Sequence, residues 1–137
     1  MINEIQDQGE LLAVIVRGLQ KDMGVRFVTP DTLGQQLGFH RHPAGKVIPP
    51  HLHNTIVREV HQTVEVLVIR QGKMRIDFYS HAKTYLESQV VQAGDTILLA
   101  SGGHGFEVLE EIEMVEVKQG PYAGNLDVSR FRPERAT

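Results

Sequence analysis

Short hydrophobic runs separated by turn residues follow one another along most of the chain. Residues 11–16 form an unbroken apolar run, and residues 73–79 alternate strictly, with Met74, Ile76 and Phe78 on one face. Alternation of this kind is typical of half-buried β-strands. Tight turns are predicted at Gln71-Gly72 and at Glu110-Glu111. The predicted strands are residues 11–16, 25–28, 64–70, 73–79, 84–91, 96–100, 104–109 and 112–119.

One segment departs from this pattern. Thr29 followed by Pro30 is typical of a helix start, because threonine caps the first turn and proline is tolerated at its first position. We therefore expect a short helix that stops near Gly34 or Gly38. Closely spaced short strands otherwise predict an all-β sandwich or barrel. No repeat or linker divides the 137 residues, which fit one domain.

Composition excludes several classes of function. A net charge of −3 argues against a broad nucleic-acid surface, which is usually basic. The chain has no cysteine, which excludes disulfides, thiolate metal sites and a cysteine nucleophile. Its longest apolar run is far shorter than the roughly 20 residues of a membrane helix, and its first residues lack the positive charge of a signal peptide. We expect a soluble, cytoplasmic protein with no membrane partner.

The histidines His51 and His53 are the first candidates for chemistry. They flank one residue in an extended segment, so both imidazoles project from the same side if the segment is a strand. Two ring nitrogens so placed can bind one metal ion. For an isolated pair at this spacing, two solvated surface histidines are an equally simple interpretation and the commoner one.

Glu65 and His104 strengthen the metal hypothesis. Glu65 interrupts a run that is otherwise apolar, and a buried carboxylate is costly unless a cation meets it. Its alternative partner is an arginine, such as Arg41 or Arg58. His104 lies among glycines and shares a strand face with apolar residues, so it should point inward, either as a ligand or as a core histidine.

In combination these residues resemble the two conserved motifs of cupins. The first motif matches Gly45, His51-x-His53, Glu65 and Gly72, and the second matches Gly94 and Gly102-x-His104. The resemblance implies an all-β fold, a cupin-type double-stranded β-helix (jelly-roll) barrel with a short N-terminal helix. It implies a barrel core at residues 41–120, N-terminal strands and the helix at 1–40, and a surface or subunit-contacting tail at 121–137.

The resemblance also implies a site for one divalent metal ion. The ligands carried over from the family are His51, His53, Glu65 and His104. Residues 54–64 form a longer connection than is usual between the second histidine and the glutamate, so Glu59 is a rival carboxylate ligand. Three imidazoles and one carboxylate suit Fe, Mn, Ni, Co or Zn.

The function that follows is a metal-dependent enzyme acting on a small polar molecule: a sugar, a nucleotide-sugar or a small organic acid. An isomerase, epimerase or dioxygenase activity is implied, with Lewis-acid or oxygen-activating chemistry. Candidate acid–base groups are Glu59 and His61, and candidate substrate contacts are Arg41, Arg58 and Tyr122. The alternative is a non-catalytic sugar-binding module with a structural metal or none. A homodimer is expected in either case, through an outward apolar face formed by Val64, Val66 and Val68.

Overall fold

A computed structural model describes residues 1–133, which form eight strands and one single-turn 3-10 helix at Gly124–Leu126. Every pairing between these strands is antiparallel. The strands are β1 (Ile2–Asp7), β2 (Glu10–Val16), β3 (Gly24–Phe27), β4 (Gly38–Arg41), β5 (Glu65–Tyr79), β6 (Tyr85–Gln92), β7 (Thr96–Leu99) and β8 (Gly103–Lys118).

The main sheet is curled into half of a barrel. Its strand order is β1-β2-β7-β5-β6, and β8 pairs along the other side of β5. Strands β3 and β4 form a separate two-stranded sheet. The prediction of an all-β chain is therefore confirmed, and the run at residues 11–16 lies in β2.

The two tight turns predicted at Gln71-Gly72 and Glu110-Glu111 are wrong. Strand β5 continues through the first position and β8 through the second, so each joins two strands predicted separately. The β5–β8 register shifts three times between Ile69 and Met74. Such bulges bend paired strands. Gly72, which suggested a turn, therefore lies at the corner where β5 and β8 bend together, and its φ is 87°.

The turn between β6 and β7 explains why β5 bends instead of reversing. The first part of β5 pairs with β7 and its last part pairs with β6. At the changeover, Gly94 N–H donates to the Ile69 carbonyl at 2.9 Å, and Ala93 N–H donates to the Gly72 carbonyl at 3.1 Å. The Ile69 N–H donates to the Asp95 carbonyl. These bonds replace the ones that a hairpin turn would have formed.

The main hydrophobic core lies on the concave face of the curled sheet. It joins side chains from both parts of β5, so the two parts face one another across it. Hydrophobic burial of this kind is the principal term that keeps the sheet curled. Its buried members are Ile5, Leu12, Ala13, Ile15, Leu67, Ile69, Met74, Ile76, Phe78, Val91, Ile97 and Leu99.

A second core lies on the opposite face and changes the expected dimer surface. Val64 and Val66, predicted to be outward-facing, are only 1% and 7% exposed. Residues of the N-terminal half, including Leu33 and Phe39, pack against them. The proposed apolar strip is therefore covered within the chain, and only Val68 remains partly exposed, at 37%. The homodimer itself stays a prediction.

The short helix expected after Thr29 is also wrong, because this segment is a compact loop. The Thr29 hydroxyl accepts the Leu37 N–H and donates to the side chain of Gln36. The Gln36 amide in turn donates to the carbonyls of Pro30 and Leu33. Side chains thus satisfy the backbone groups that a helix would have paired.

The connection at residues 42–64 has no regular secondary structure. It includes His51 and His53, which therefore do not lie in a strand. The predicted tail begins at residue 121, and its last residues, 134–137, lie outside the described part of the chain. Residues 1–133 contain no helix with the length and hydrophobicity needed to cross a membrane.

The corner at Gly72 can be tested by a single substitution. A Cβ atom there would lie 1.9 Å from the Glu111 carbonyl oxygen and 2.9 Å from the Ile112 Cα. Because both are backbone atoms, Gly72→Ala must displace β8. We expect a loss of at least about 3 kcal/mol in the free energy of unfolding, measured by urea denaturation.

Gly45→Ala is the matched control. Gly45 has nearly the same φ, 88°, but nothing lies within 4 Å of the position that a Cβ atom would take. Only the cost of the left-handed conformation applies, about 1–2 kcal/mol. Equal losses in the two variants would show that the corner does not depend on close approach of β8.

Candidate functional site

The curl of the sheet brings Glu65 and His104 into contact. Glu65 opens β5 beside Lys118, whereas His104 lies near the start of β8 beside Phe78. Although these pairs are at opposite ends of the ladder, His104 Nε2 lies 3.4 Å from Glu65 Oε2. Their side chains are 30% and 18% exposed, respectively. The contact therefore lies at a partly solvated opening of the concave face.

Glu116 completes a small charged cluster with this pair. Its register on β8 places it opposite Leu67, on the face that carries Glu65, and the two carboxyl groups affect each other's pKa. The hydrogen bond with His104 lowers the pKa of Glu65, against the opposing effect of burial. Partial burial and the adjacent charge of Glu65 raise the pKa of Glu116. Two neighbouring carboxyl groups are thus driven toward different protonation states.

An exposed apolar surface adjoins the cluster. Phe106 and Val108 follow His104 at two-residue intervals on β8, so they share its face. The rings of His104 and Phe106 are stacked, with centroids 5.3 Å apart. Phe106 is 41% exposed and Val108 is 55% exposed. The site therefore combines ionisable groups with an aromatic face open to solvent.

His51 and His53 lie on the exposed 42–64 connection. Their rings are neighbours, with centroids 5.5 Å apart. The Nδ1 atom of His51 lies 3.0 Å from the Pro49 carbonyl oxygen. Within residues 1–133, no three His, Asp or Glu side chains are placed to hold one metal ion. The structure thus brings Glu65 and His104 together but does not add this histidine pair to them.

The donor geometry of Glu65 and His104 fits one metal ion. Two donors that each lie about 2.1 Å from an ion, at angles of 90–110°, are roughly 3.0–3.4 Å apart. The observed separation of 3.4 Å is at the upper end of that range. Imidazole and carboxylate are both suitable ligands for divalent transition metals. The fit is therefore good for these two residues and incomplete for the four-residue set.

The candidate acid–base residues, Glu59 and His61, contact each other elsewhere on the connection. Glu59 Oε1 lies 3.4 Å from His61 Nε2, and both side chains are largely solvated, 84% and 78% exposed. Together with Thr32 and Gly34 they border an open cleft of about 290 Å³. The carboxylate that meets His104 is that of Glu65, and Glu59 has His61 as its partner.

The candidate substrate contacts are dispersed. The Arg41 guanidinium donates to the carbonyls of Gln20 and Lys21 at 2.9 and 2.8 Å, so it holds the loop before β3. Arg58 is exposed on the connection. Tyr122 is 90% exposed and borders a second cleft, of about 140 Å³, beside Lys118 and His61.

Sequence reasoning missed Glu116 and Lys118 as members of the site. The strand at 112–119 was predicted, and alternation along it places Ile112, Met114, Glu116 and Lys118 on one face. Two apolar residues followed by two charged ones on a single face indicate where a core gives way to a polar opening. This change from apolar to charged residues on one face could have located the site from the sequence.

Comparisons with known proteins identify no relative. No protein-family model, no curated protein and no solved structure matches the chain.

The paired carboxyl groups predict a pH-dependent effect of Glu116→Gln. A carboxyl group whose folded pKa is raised stabilises the fold while protonated, and this contribution is lost as pH rises through the folded pKa. Glutamine is uncharged at every pH, so the Glu116→Gln variant does not lose this contribution to stability as the pH rises. We expect the variant to be more stable at pH 7 by about 0.2–1 kcal/mol, the range for exposed charge pairs. The gain should shrink toward pH 4 as the natural Glu116 takes up its proton.

Glu113→Gln, on the same strand, is the control for this measurement. Glu113 pairs with Arg70 at 3.4 Å, so its neutralisation removes an attraction and should give no gain at pH 7. Thermal unfolding of both variants across pH 4–8 provides the comparison. A gain from Glu116→Gln that persists unchanged at pH 4 would argue against repulsion between Glu65 and Glu116.

Proposed function

We propose that this chain is a small cupin-like barrel protein that binds one divalent transition-metal ion beside Glu65 and His104 and acts on a small polar molecule. The observation that carries the proposal is the 3.4 Å contact between these two side chains, formed across the concave face from two different strands. Fe, Mn, Ni, Co and Zn are the ions that suit imidazole and carboxylate donors.

The path of the strands supports a jelly-roll arrangement. Before the corner at Gly72, β5 lies between β7 and β8, and after it β5 lies between β6 and β8. The two parts of β5 and β8 thus belong to two facing leaves that share one core. A double-stranded β-helix barrel is built from two such leaves.

In this proposal Glu65, His104 and Glu116 have different chemical roles. Glu65, with its lowered pKa, holds a negative charge, and His104 presents Nε2 toward the same point. A bound ion would supply Lewis-acid polarisation of a carbonyl or hydroxyl oxygen, or redox chemistry if it is iron. Glu116, with its raised pKa, keeps a proton on its carboxyl group to higher pH and can donate it to a substrate oxygen.

The ring of a neutral sugar, free or as part of a nucleotide-sugar, suits this surface better than the carboxylate group of a small organic acid does. The exposed Phe106 ring offers a flat apolar face next to the carboxyl groups of Glu65 and Glu116. A sugar ring has an apolar face that can stack on an aromatic ring and hydroxyl groups that donate to carboxylates. A carboxylate substrate would instead meet two acidic side chains.

One observation favours the alternative of a non-catalytic binding module. Of the residues described, only Glu65 and His104 from the four-residue set are gathered, and no third His, Asp or Glu joins them in metal-binding geometry. A sugar-binding cupin with a weakly held metal, or with none, is consistent with that arrangement.

Metal content tests the two interpretations directly. Protein purified without chelator and without nickel affinity resin should retain close to one equivalent of a divalent ion, measured by mass spectrometry. Glu65→Gln and His104→Ala each remove a ligand, and we expect each to lower the affinity for the ion at least about tenfold. Absence of metal from the folded natural chain would exclude the metalloenzyme and leave the binding module.

A second histidine–glutamate contact provides the matched control. His81 Nε2 lies 3.1 Å from Glu10 Oε2, and these side chains are more exposed, 62% and 45%. Glu10→Gln and His81→Ala should leave the metal content unchanged. Equal losses in both pairs of variants would mean that the retained ion is adventitious surface metal.

The histidine pair His51 and His53 is tested separately. If the four-residue set binds the ion, His51→Ala/His53→Ala should lower the affinity at least as much as His104→Ala does, by about tenfold or more. Equilibrium competition with a coloured chelator measures this. An unchanged affinity would restrict the ligands to the Glu65 and His104 region.

A further inference from the structure

The C-terminal segment is anchored beside the last residue of β8. One Asp127 carboxylate oxygen lies 3.5 Å from the Lys118 Nζ atom, and the other accepts a hydrogen bond from the Thr63 hydroxyl. The Asp127 side chain is only 14% exposed, so solvent screens this pair less than an exposed one. Lys118 is the register partner of Glu65, and Thr63 precedes Glu65 by two residues. This first anchor therefore adjoins the Glu65 carboxylate of the candidate site.

Four residues later, the same segment is anchored beside the first residue of β8. The Phe131 ring packs edge-on against the Tyr79 ring, with centroids 5.2 Å apart. Tyr79 is the register partner of Gly103, the residue before His104. A Cβ atom on Gly103 would lie 3.0 Å from the Phe131 ring, so the glycine leaves room for that ring. This second anchor therefore adjoins the His104 imidazole of the candidate site.

The link between the two anchors is short compared with β8. The four residues from Asp127 to Phe131 span at most about 14 Å. In a flat strand the rise from Gly103 to Lys118 would be roughly 50 Å. Even with the reach of the anchoring side chains added, the link joins both ends only when the sheet is curled. It therefore resists any opening that moves the two ends of β8 apart.

We propose that residues 127–131, which we call the clasp, hold the mouth of the half-barrel at the width that brings Glu65 and His104 into contact. Asp127 and Phe131 are positioning residues in this scheme, because they act on the site through its neighbours in the two strands. The clasp itself does not depend on a metal ion. Its effect on the affinity for an ion rests on the proposed function.

The ends of β8 have little other support. Within residues 1–133, β8 pairs with β5 alone, so no second strand holds its ends in place. The contact between Glu65 and His104 is partly solvated, and pairs of this kind contribute little to stability. Strand ends with few buried contacts are the parts of a sheet that open most readily. The clasp therefore lies where opening would otherwise begin.

Amide hydrogen exchange of the full chain, followed by NMR without metal, tests the proposal. Phe131→Ala removes one anchor and Asp127→Ala removes the other. Because a link held at one end ties nothing together, each variant should speed exchange at least about tenfold at both ends of β8. The amides that report on this opening are the Gln119 N–H, which donates to the Val64 carbonyl at 3.0 Å, and those of residues 103–105. Exchange in the central strand β7 should be unchanged.

The double variant and two controls make the result specific to the clasp. Phe131→Ala/Asp127→Ala should open the ends of β8 no further than either single variant, because the loss of one anchor already releases the link. Leu126→Ala removes a side chain of the same segment that is 95% exposed, and it should leave exchange unchanged. Phe131→Leu keeps an apolar contact with Tyr79 and should retain most of the protection.

The contact between Glu65 and His104 is followed in the same samples. The natural chain should show a nuclear Overhauser effect between the His104 ring protons and the Glu65 side-chain protons, and both alanine variants should lose it. Zn²⁺ affinity, measured by competition with a coloured chelator, should fall about tenfold in both variants. If the natural chain binds no Zn²⁺, the proposed metal function fails, and hydrogen exchange still decides the clasp.

Three results would overturn the proposal. In the first, each variant speeds exchange only at the end of β8 that its own residue contacts, which would indicate two separate local contacts. In the second, exchange rises by the same factor in every strand, including β7, which is a general loss of stability. In the third, the nuclear Overhauser effect between Glu65 and His104 is unchanged in Phe131→Ala although both ends of β8 exchange faster.

Discussion

The shared bend of β5 and β8 at Gly72 is the constraint on which the site depends. On a flat ladder, fourteen residues of β8 separate the partner of Glu65 from His104, a distance of roughly 45 Å. The two side chains instead lie 3.4 Å apart. The bend is possible because Gly72 adopts a positive φ and has no Cβ to strike the Glu111 carbonyl. The turn before β7 then fixes it through backbone hydrogen bonds.

The same curl determines both the chemistry of the site and its openness. Folding the two leaves over one hydrophobic core places the polar ends of β5 and β8 at the mouth of the concave face. Glu65, Glu116 and His104 meet there. The hydrogen bond with His104 lowers the pKa of Glu65, and partial burial together with the charge of Glu65 raises the pKa of Glu116. With β8 as an edge strand, Phe106 stays exposed beside them. A half-barrel therefore places a charged cluster beside an exposed aromatic ring.

Local pattern predicted most strands but not how they connect. Alternation located the second part of β5, the apolar run located β2, and a strand was also predicted where β6 lies. The errors at Gly72 and at Glu110-Glu111 lie on the two paired strands at the same corner. A glycine at positive φ is compatible with a tight turn and with a bulged corner. The backbone hydrogen bonds between residues 93–95 and β5 stabilise the corner. After Thr29, side-chain hydrogen bonds from Gln36 replaced the expected helix.

The sequence by itself determined an all-β chain without cysteine, and it identified Glu65 as an anomalous carboxylate within an apolar run. Those conclusions depend on residue type and short-range periodicity, which the chain carries in any environment. Only the tertiary structure decided that His104 is the partner of Glu65, that Glu116 joins them, and that Val64 and Val66 are covered from within the chain. Those outcomes depend on how far the sheet curls, which the packing of the whole core sets and no local pattern encodes.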